Sequence, residues 1–187
     1  WKVIGSPAKK GPQGGKSGGT MILARSYLSI WPVCYSPAVC KLPCPSLGHG
    51  LDWSAAEVRL RGSVLVLIVL YFTDSIGLEG INVTKAKQIS DFVRCLRGPV
   101  ALAGDYNIAP EDLQCSGFLT MLGPEGQYTV HVPENTSFTC SSGRMLDYYV
   151  LNAQARGIFG AVAAHDWCPW KTHKGVSTNI SCTPMAV

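Results

Sequence analysis

Gly98-Pro-Val-Ala-Leu-Ala-Gly-Asp-Tyr-Asn-Ile-Ala-Pro-Glu-Asp-Leu113 is the stretch from which the rest of this chain is read. Pro99 to Ala103 is a short apolar run of buried-strand type that stops at Gly104. A carboxylate and a carboxamide, Asp105 and Asn107, follow at once, and Pro110 closes the loop. Alternation along an extended chain puts Asp105 and Asn107 on one side, able to face one hard cation or one phosphate, with Tyr106 packed behind them. Gly, Asp, Asn and Pro also build ordinary strand-to-helix turns, and Pro110-Glu111-Asp112 makes a good first helical turn. The remainder of the chain has to decide between site and turn.

The chain has 187 residues, which points to one domain, 1–187, that buries about 70% of its unfolded surface. Charged residues make up only 15% against a usual ~25%, and hydrophobic residues 47%, so the surface is thinly charged. A net charge of +4 suits a polyanionic partner but lacks the dense basic runs of a dedicated nucleic-acid tail. Eight cysteines and three glycosylation sequons, at Asn82, Asn135 and Asn179, are compatible with secretion. A chain of this size needs no disulfide framework, however, so reduced thiols and an intracellular location, the nucleus included, are expected. The apolar run Val64 to Phe72 is far below the ~20 residues of a membrane span and reads as a buried strand.

Outward from the central stretch, residues 1–17 read as a flexible Gly/Lys-rich loop. Gly11-Pro-Gln-Gly-Gly-Lys-Ser17 resembles a phosphate loop only in part: Lys10 stands where the motif needs glycine, and Thr20 to Arg25 reads as a strand instead of a helix. Residues 31–50 form an irregular Cys/Pro-rich connection whose Cys34, Cys40, Cys44 and His49 lack zinc-knuckle spacing. Ala56 to Arg61 and Val64 to Tyr71, joined by Gly62-Ser63, are a hairpin entering the core. A helix capped by Asn82 or Thr84 is expected through Arg97, with Ile89, Phe92, Val93 and Leu96 inward and Lys85, Lys87, Arg94 and Arg97 outward. A short helix over Glu111 to Leu122 and strands over Thr136 to Cys140, Met145 to Leu151 and Gly175 to Ile180 complete the expectation. Asp147 interrupts an otherwise apolar strand, where a carboxylate needs a partner or a chemical role.

The ordered series Gly18-Gly-Thr-Met-Ile22, a strand ending in Tyr71, Gly104-Asp-Tyr-Asn107, Arg144-Met-Leu-Asp-Tyr148, and His173 before a last strand resembles the endonuclease/exonuclease/phosphatase superfamily. The resemblance spans residues 18–180 and is similar in pattern to abasic-site and LINE-type retrotransposon endonuclease domains. It implies an α/β fold, a DNase I-like four-layer sandwich of two mixed sheets packed face to face with helices outside. It also implies that Asp105 and Asn107 handle the attacking water, the scissile phosphate and a Mg2+ (or Mn2+) ion. Tyr71 would bond a phosphate oxygen, Asp147 would orient the catalytic His173, and Arg144, Lys171 and Lys174 would contact phosphate or nucleic acid.

The function implied is Mg2+-dependent phosphodiester hydrolysis on DNA or RNA, by a nuclease of retrotransposon or repair type that acts as a monomer or as part of a larger polyprotein, with no membrane segment. Two alternatives share the scaffold: a catalytically dead remnant that still binds nucleic acid, and an inositol or lipid phosphate phosphatase. Three departures from the family pattern weigh against activity, one of them Lys174-Gly175 where the family has a proline-containing ending after the histidine. In the other two, the family's first two strands, with an asparagine and its main metal-binding glutamate, would precede Trp1, and Thr172 stands where the family has aspartate before the histidine.

Overall fold

Val64 to Tyr71 carries too few polar side chains to leave either face of a strand in water, and the computed structural model places it in the middle of a sheet. Residues 1–10, 16–33, 52–168 and 172–181 are described, without the side chains of 10, 16 and 17. In chain order the first elements are β1 (Lys2–Ser6), β2 (Lys9–Lys10), β3 (Lys16–Ser17), β4 (Thr20–Ala24), β5 (Ile30–Pro32), β6 (Trp53–Leu60) and β7 (Ser63–Tyr71). They are followed by α1 (Gly80–Val93), β8 (Val100–Asp105), α2 (Pro110–Cys115), α3 (Phe118–Leu122), β9 (Tyr128–His131), β10 (Asp147–Asn152), α4 (Ala153–Arg156), β11 (Phe159–His165) and β12 (Gly175–Ile180).

The main sheet has six strands in the order β5-β6-β7-β8-β10-β9. Only β7 and β8 run parallel, joined by the crossover helix α1; the other pairs are antiparallel. Period-two alternation then sorts the side chains between two faces. Val66, Ile68, Leu70, Val100, Leu102 and Val150 join Ala86, Ile89 and Phe92 of α1 and Phe118 of α3 in the largest core. On the opposite face Ile4, Ile22 and Ala24 of the β1–β4 hairpin cover Ala56, while Leu65, Ala101 and Leu151 pack with Ala155 of α4. Among the described residues three further sheets have two strands each, β1–β4, β2–β3 and β11–β12.

Several local expectations are corrected. Residues 1–17 are not all loop: Val3 and Ile4 are β-branched and pair with Leu23 and Ile22. Gly5 serves as a close strand contact, since a Cβ there would run into the Thr20 carbonyl. The helix expected to reach Arg97 ends at Val93, where tighter bonds from Cys95 N to Phe92 O and from Leu96 N to Val93 O close the last turn. Lys85, expected outward, is buried. The helix over 111–122 is two helices, because Gly117 takes φ +81 between them. Thr136 to Cys140 forms no strand; the Thr136 hydroxyl bonds the Phe138 backbone instead. Asn82 is fully buried, so that sequon is closed to glycosylation, and Cys115, Cys140 and Cys168 are free thiols. Cys34, Cys40, Cys44 and His49, and with them nearly all of the 31–50 connection, lie outside the described residues, as do Gly11 to Gly15 of the phosphate-loop-like segment.

Candidate active site

Strand register builds the site. Tyr71 at the end of β7 pairs across with Asp105 at the end of β8, and Asp105 pairs with Asp147 at the start of β10. The three therefore form one row, on the sheet face turned away from α1. Gly104, at φ +154, permits that row: a Cβ there would strike the Leu70 carbonyl and push β7 from β8. His173 joins from the loop before β12, held by an antiparallel bridge to Cys140. Tyr71, Asp105, Asp147 and His173 line one cleft of about 520 Å³, together with Gly18 and Thr172.

His173 Nδ1 lies 2.8 Å from Asp147 Oδ2, and its Nε2 lies 4.0 Å from Asp105 Oδ2. An ionised carboxylate only accepts, so Nδ1 carries the proton and Nε2 is the ring atom presented to Asp105 and the cleft. Burial acts against charging this imidazole, but the bond and charge of Asp147, with Asp105 behind it, outweigh it and raise its pKa above the ordinary histidine value. Asp105 is pushed up to about 6, first by burial and then by the charge of Asp147, against the opposing pull of His173 and the Asn107 bonds.

Asn107 reaches Asp105 by a route other than strand alternation. The chain leaves the strand and Asn107 takes φ +49, so its backbone N donates to Asp105 Oδ1 at 3.0 Å and its Nδ2 to Asp105 Oδ2 at 3.1 Å. The same Nδ2 donates to Phe72 O at 2.8 Å, which leaves Asn107 buried behind the carboxylate instead of on the cleft wall. Tyr106 does pack behind, stacked on Tyr148 with ring centroids 4.3 Å apart.

Among the other expected residues, Arg144 bonds Asn107 O at 3.2 Å and faces Asp74 at 3.5 Å in a neighbouring pocket. Lys174 lines the cleft, yet its ammonium is committed to Thr136 Oγ1 at 3.2 Å, Asp166 at 3.3 Å and the Phe138 ring at 4.0 Å. Lys171 lies outside the described residues.

Two contributors were not legible in the sequence. Thr139, fully buried, accepts from both Leu146 N and Asp147 N through Oγ1, and its carbonyl accepts from Lys174 N, so one threonine sets the Asp147 and His173 segments against each other. Asp52 and Lys85 form a buried ion pair at 2.7 Å behind Tyr71. A lone threonine in a polar loop carries no signal of such a role. The Asp52–Lys85 pair joins residues 33 positions apart, a contact that only folding creates.

Asp105, Asp147 and His173 each offer a ligand atom within 4.8 Å of the others, a different set from the expected Asp105 and Asn107. Two carboxylates in register on adjacent strands, one with its pKa raised partly by the other, are a donor set that a hard divalent cation relieves, so these residues fit such an ion.

No protein-family model and no curated protein matches the sequence. Solved structures do match its fold. The endonuclease domain of TRAS1, a telomere-specific non-LTR retrotransposon, is 14% identical with a TM-score of 0.66, over 96% of this chain and 77% of that one. The 3′ phosphatase NExo from Neisseria, bound to product DNA hairpin, is 17% identical with a TM-score of 0.59, over 97% and 79%. The cytolethal distending toxin from Actinobacillus actinomycetemcomitans is 17% identical with a TM-score of 0.52, and this chain spans 62% of its length.

Proposed function

We propose that this chain, which has the DNase I-like fold of the endonuclease/exonuclease/phosphatase superfamily, is a divalent-metal-dependent phosphodiesterase and acts as a nucleic-acid endonuclease of retrotransposon or repair type. The observation that carries the reading is the single cleft in which the Tyr71-Asp105-Asp147 row meets a histidine already bonded to Asp147. Residues 1–187 are taken as one catalytic domain, working as a monomer or inside a polyprotein.

The chemistry required is a deprotonated water, a neutralised phosphoryl group and a proton for the leaving oxygen. Asp105, with its pKa near 6, is poised to take a proton from water around neutral pH and to release it again. Asp147 holds the His173 ring so that Nε2 faces the cleft, where the imidazolium can bond a phosphoryl oxygen or give its proton to the departing one. Tyr71, across from Asp105, is placed to bond a non-bridging oxygen. Mg2+ or Mn2+ held by the Asp105 and Asp147 carboxylates would supply charge neutralisation to the phosphate and leave His173 to handle the proton. Asn107 anchors Asp105 through two bonds, and Arg144 anchors Asn107. The TRAS1 and NExo likenesses and the net charge of +4 support a nucleic-acid substrate.

Nicking of supercoiled plasmid with Mg2+, with Mn2+ and with EDTA tests the reading. Relaxation in either metal, its loss in EDTA and its loss in Asp105→Ala are expected; an Asp105→Ala protein that nicks as fast as its parent refutes the site. A second reading, a binding module without catalysis, is favoured by Thr172 at the position before His173, where the resembled family has aspartate. It predicts salt-sensitive DNA binding with no nicking.

A further inference from the structure

One end of the cleft, Asp105, Asp147 and His173, is fixed by Thr139 and Asn107. The other end, Gly18 and Tyr71, is fixed by a separate device that none of the chemistry above uses. Lys85 projects from α1 with its side chain 4% exposed and spends its three ammonium protons on three acceptors: Asp52 Oδ2 at 2.7 Å, Tyr71 O at 3.0 Å and Thr73 Oγ1 at 3.1 Å. The same ammonium lies 5.5 Å from the Tyr71 ring centroid, within cation-π range. Asp52 completes the arrangement. Its Oδ1 accepts from Gly19 N at 3.3 Å and faces Lys9 Nζ at 3.9 Å, and its carbonyl accepts from Tyr71 N at 2.8 Å. Both backbone polar groups of Tyr71 are thus held by the two partners of one ion pair. Gly18, at φ +70, sits so close that a Cβ would run into Asp52 Oδ1.

An apolar pair of equal volume would hold α1 against β7 at least as well, since burying two charges costs most of what their attraction returns. It could not bond Gly19 N–H, Tyr71 C=O and Thr73 hydroxyl together. We propose that Asp52 and Lys85 are positioning residues, which fix the Gly18 and Tyr71 end of the cleft, and with it the Tyr71 phenol, relative to Asp105, Asp147 and His173. The inference rests on the phosphodiesterase reading of the cleft for its kinetic consequence but not for its structural one.

The test uses the 187-residue chain with 13C-labelled tyrosine rings, Tyr71 being assigned by its loss in Tyr71→Phe. Asp52→Asn, which is isosteric, and Asp52→Asn/Lys85→Met, which leaves no lone charge, are compared with the parent, with circular dichroism to establish folding. The expected result is a Tyr71 ring signal that shifts or broadens in both variants while Tyr148 is unmoved. On a DNA duplex with Mg2+, kcat/KM should fall by about tenfold or more, a size reached by sub-ångström to ångström misplacement. In a Tyr71→Phe background the same substitutions should cost less than about twofold, because their effect runs through the phenol. An unmoved Tyr71 signal in a folded variant, an equal loss in both backgrounds, or unfolding of even Asp52→Asn would assign the pair a purely structural role and overturn the proposal. A parent that cleaves nothing would refute the phosphodiesterase reading instead, and the Tyr71 signal would then decide the pair by itself.

Discussion

Asp105 carries opposite demands at the residue scale. Burial and the neighbouring Asp147 penalise its charge, so the folded protein binds its proton up to about pH 6, whereas the unfolded chain releases it near 3.8. Between those values the native state holds more protons, and the metal-free fold must lose stability as pH rises from about 4 to 6. His173, also raised, adds in the same direction: its contribution is full below the ordinary histidine range and fades as pH climbs through its higher native value. Thermal unfolding in EDTA should therefore show the midpoint falling from pH 5 to pH 8, and Asp105→Asn should flatten the acidic part of that curve. The same variant should melt higher than the parent at pH 7.5 while losing cleavage; a lower midpoint would mean that the carboxylate stabilises the fold and that the electrostatic account is wrong. Asp147→Asn, which leaves the ring in the wrong tautomer or unanchored, should reduce kcat by about 10²- to 10⁴-fold with a changed pH profile, measured by single-turnover cleavage. An unaltered pH profile would remove His173 from the proton inventory.

Elements place these residues, and two positions show how. Gly104 lets β7 and β8 approach at the row that carries Tyr71 and Asp105, and Gly104→Ala combines a left-handed φ with a backbone collision. It should cost about 2 kcal/mol or more in denaturant unfolding, well above an ordinary strand Gly→Ala change. At the far end of the same strands Asn152 caps α4 by accepting from Ala155 N at 2.8 Å, accepts from Val100 N at 3.0 Å and donates to Gly98 O at 2.8 Å. Asn152→Ala loses a cap and strands the buried Val100 N–H and the half-buried Gly98 carbonyl, a cost of about 2–4 kcal/mol with the cleft geometry left intact. Element identity was readable where a period was long: the β6–β7 hairpin, the core of α1, β8 and β12 all follow from alternation or helical spacing. It was unreadable where side chains compete with the backbone, as at Thr136 to Cys140. Glycines also misled where they serve close packing, as at Gly5, which belongs to a strand despite its loop-like neighbourhood.

For the molecule as a whole, a divalent ion that binds the native carboxylate pair must stabilise it by mass action, about 2.7 kcal/mol at a hundredfold excess over Kd. Adding Mg2+ or Mn2+ after EDTA should raise the unfolding midpoint of the parent and leave Asp105→Asn unmoved; equal shifts in both would place the ion elsewhere. Among the described residues no helix is long and apolar enough to cross a membrane. What the sequence determined by itself was the set of chemical groups and the strands that deliver them, because alternation and turn chemistry are local and act within a few residues. Tyr71, Asp105, Asp147 and His173 could be named as a set because the ordered motifs that contain them resemble the endonuclease/exonuclease/phosphatase pattern. What only the tertiary structure decided was their mutual arrangement: the cross-strand register that aligns three of them, the left-handed turn that tucks Asn107 behind Asp105, the Thr139 link, and the burial of Lys85 against Asp52. These depend on contacts between residues far apart along the chain, whose distances and desolvation exist only once the core has closed.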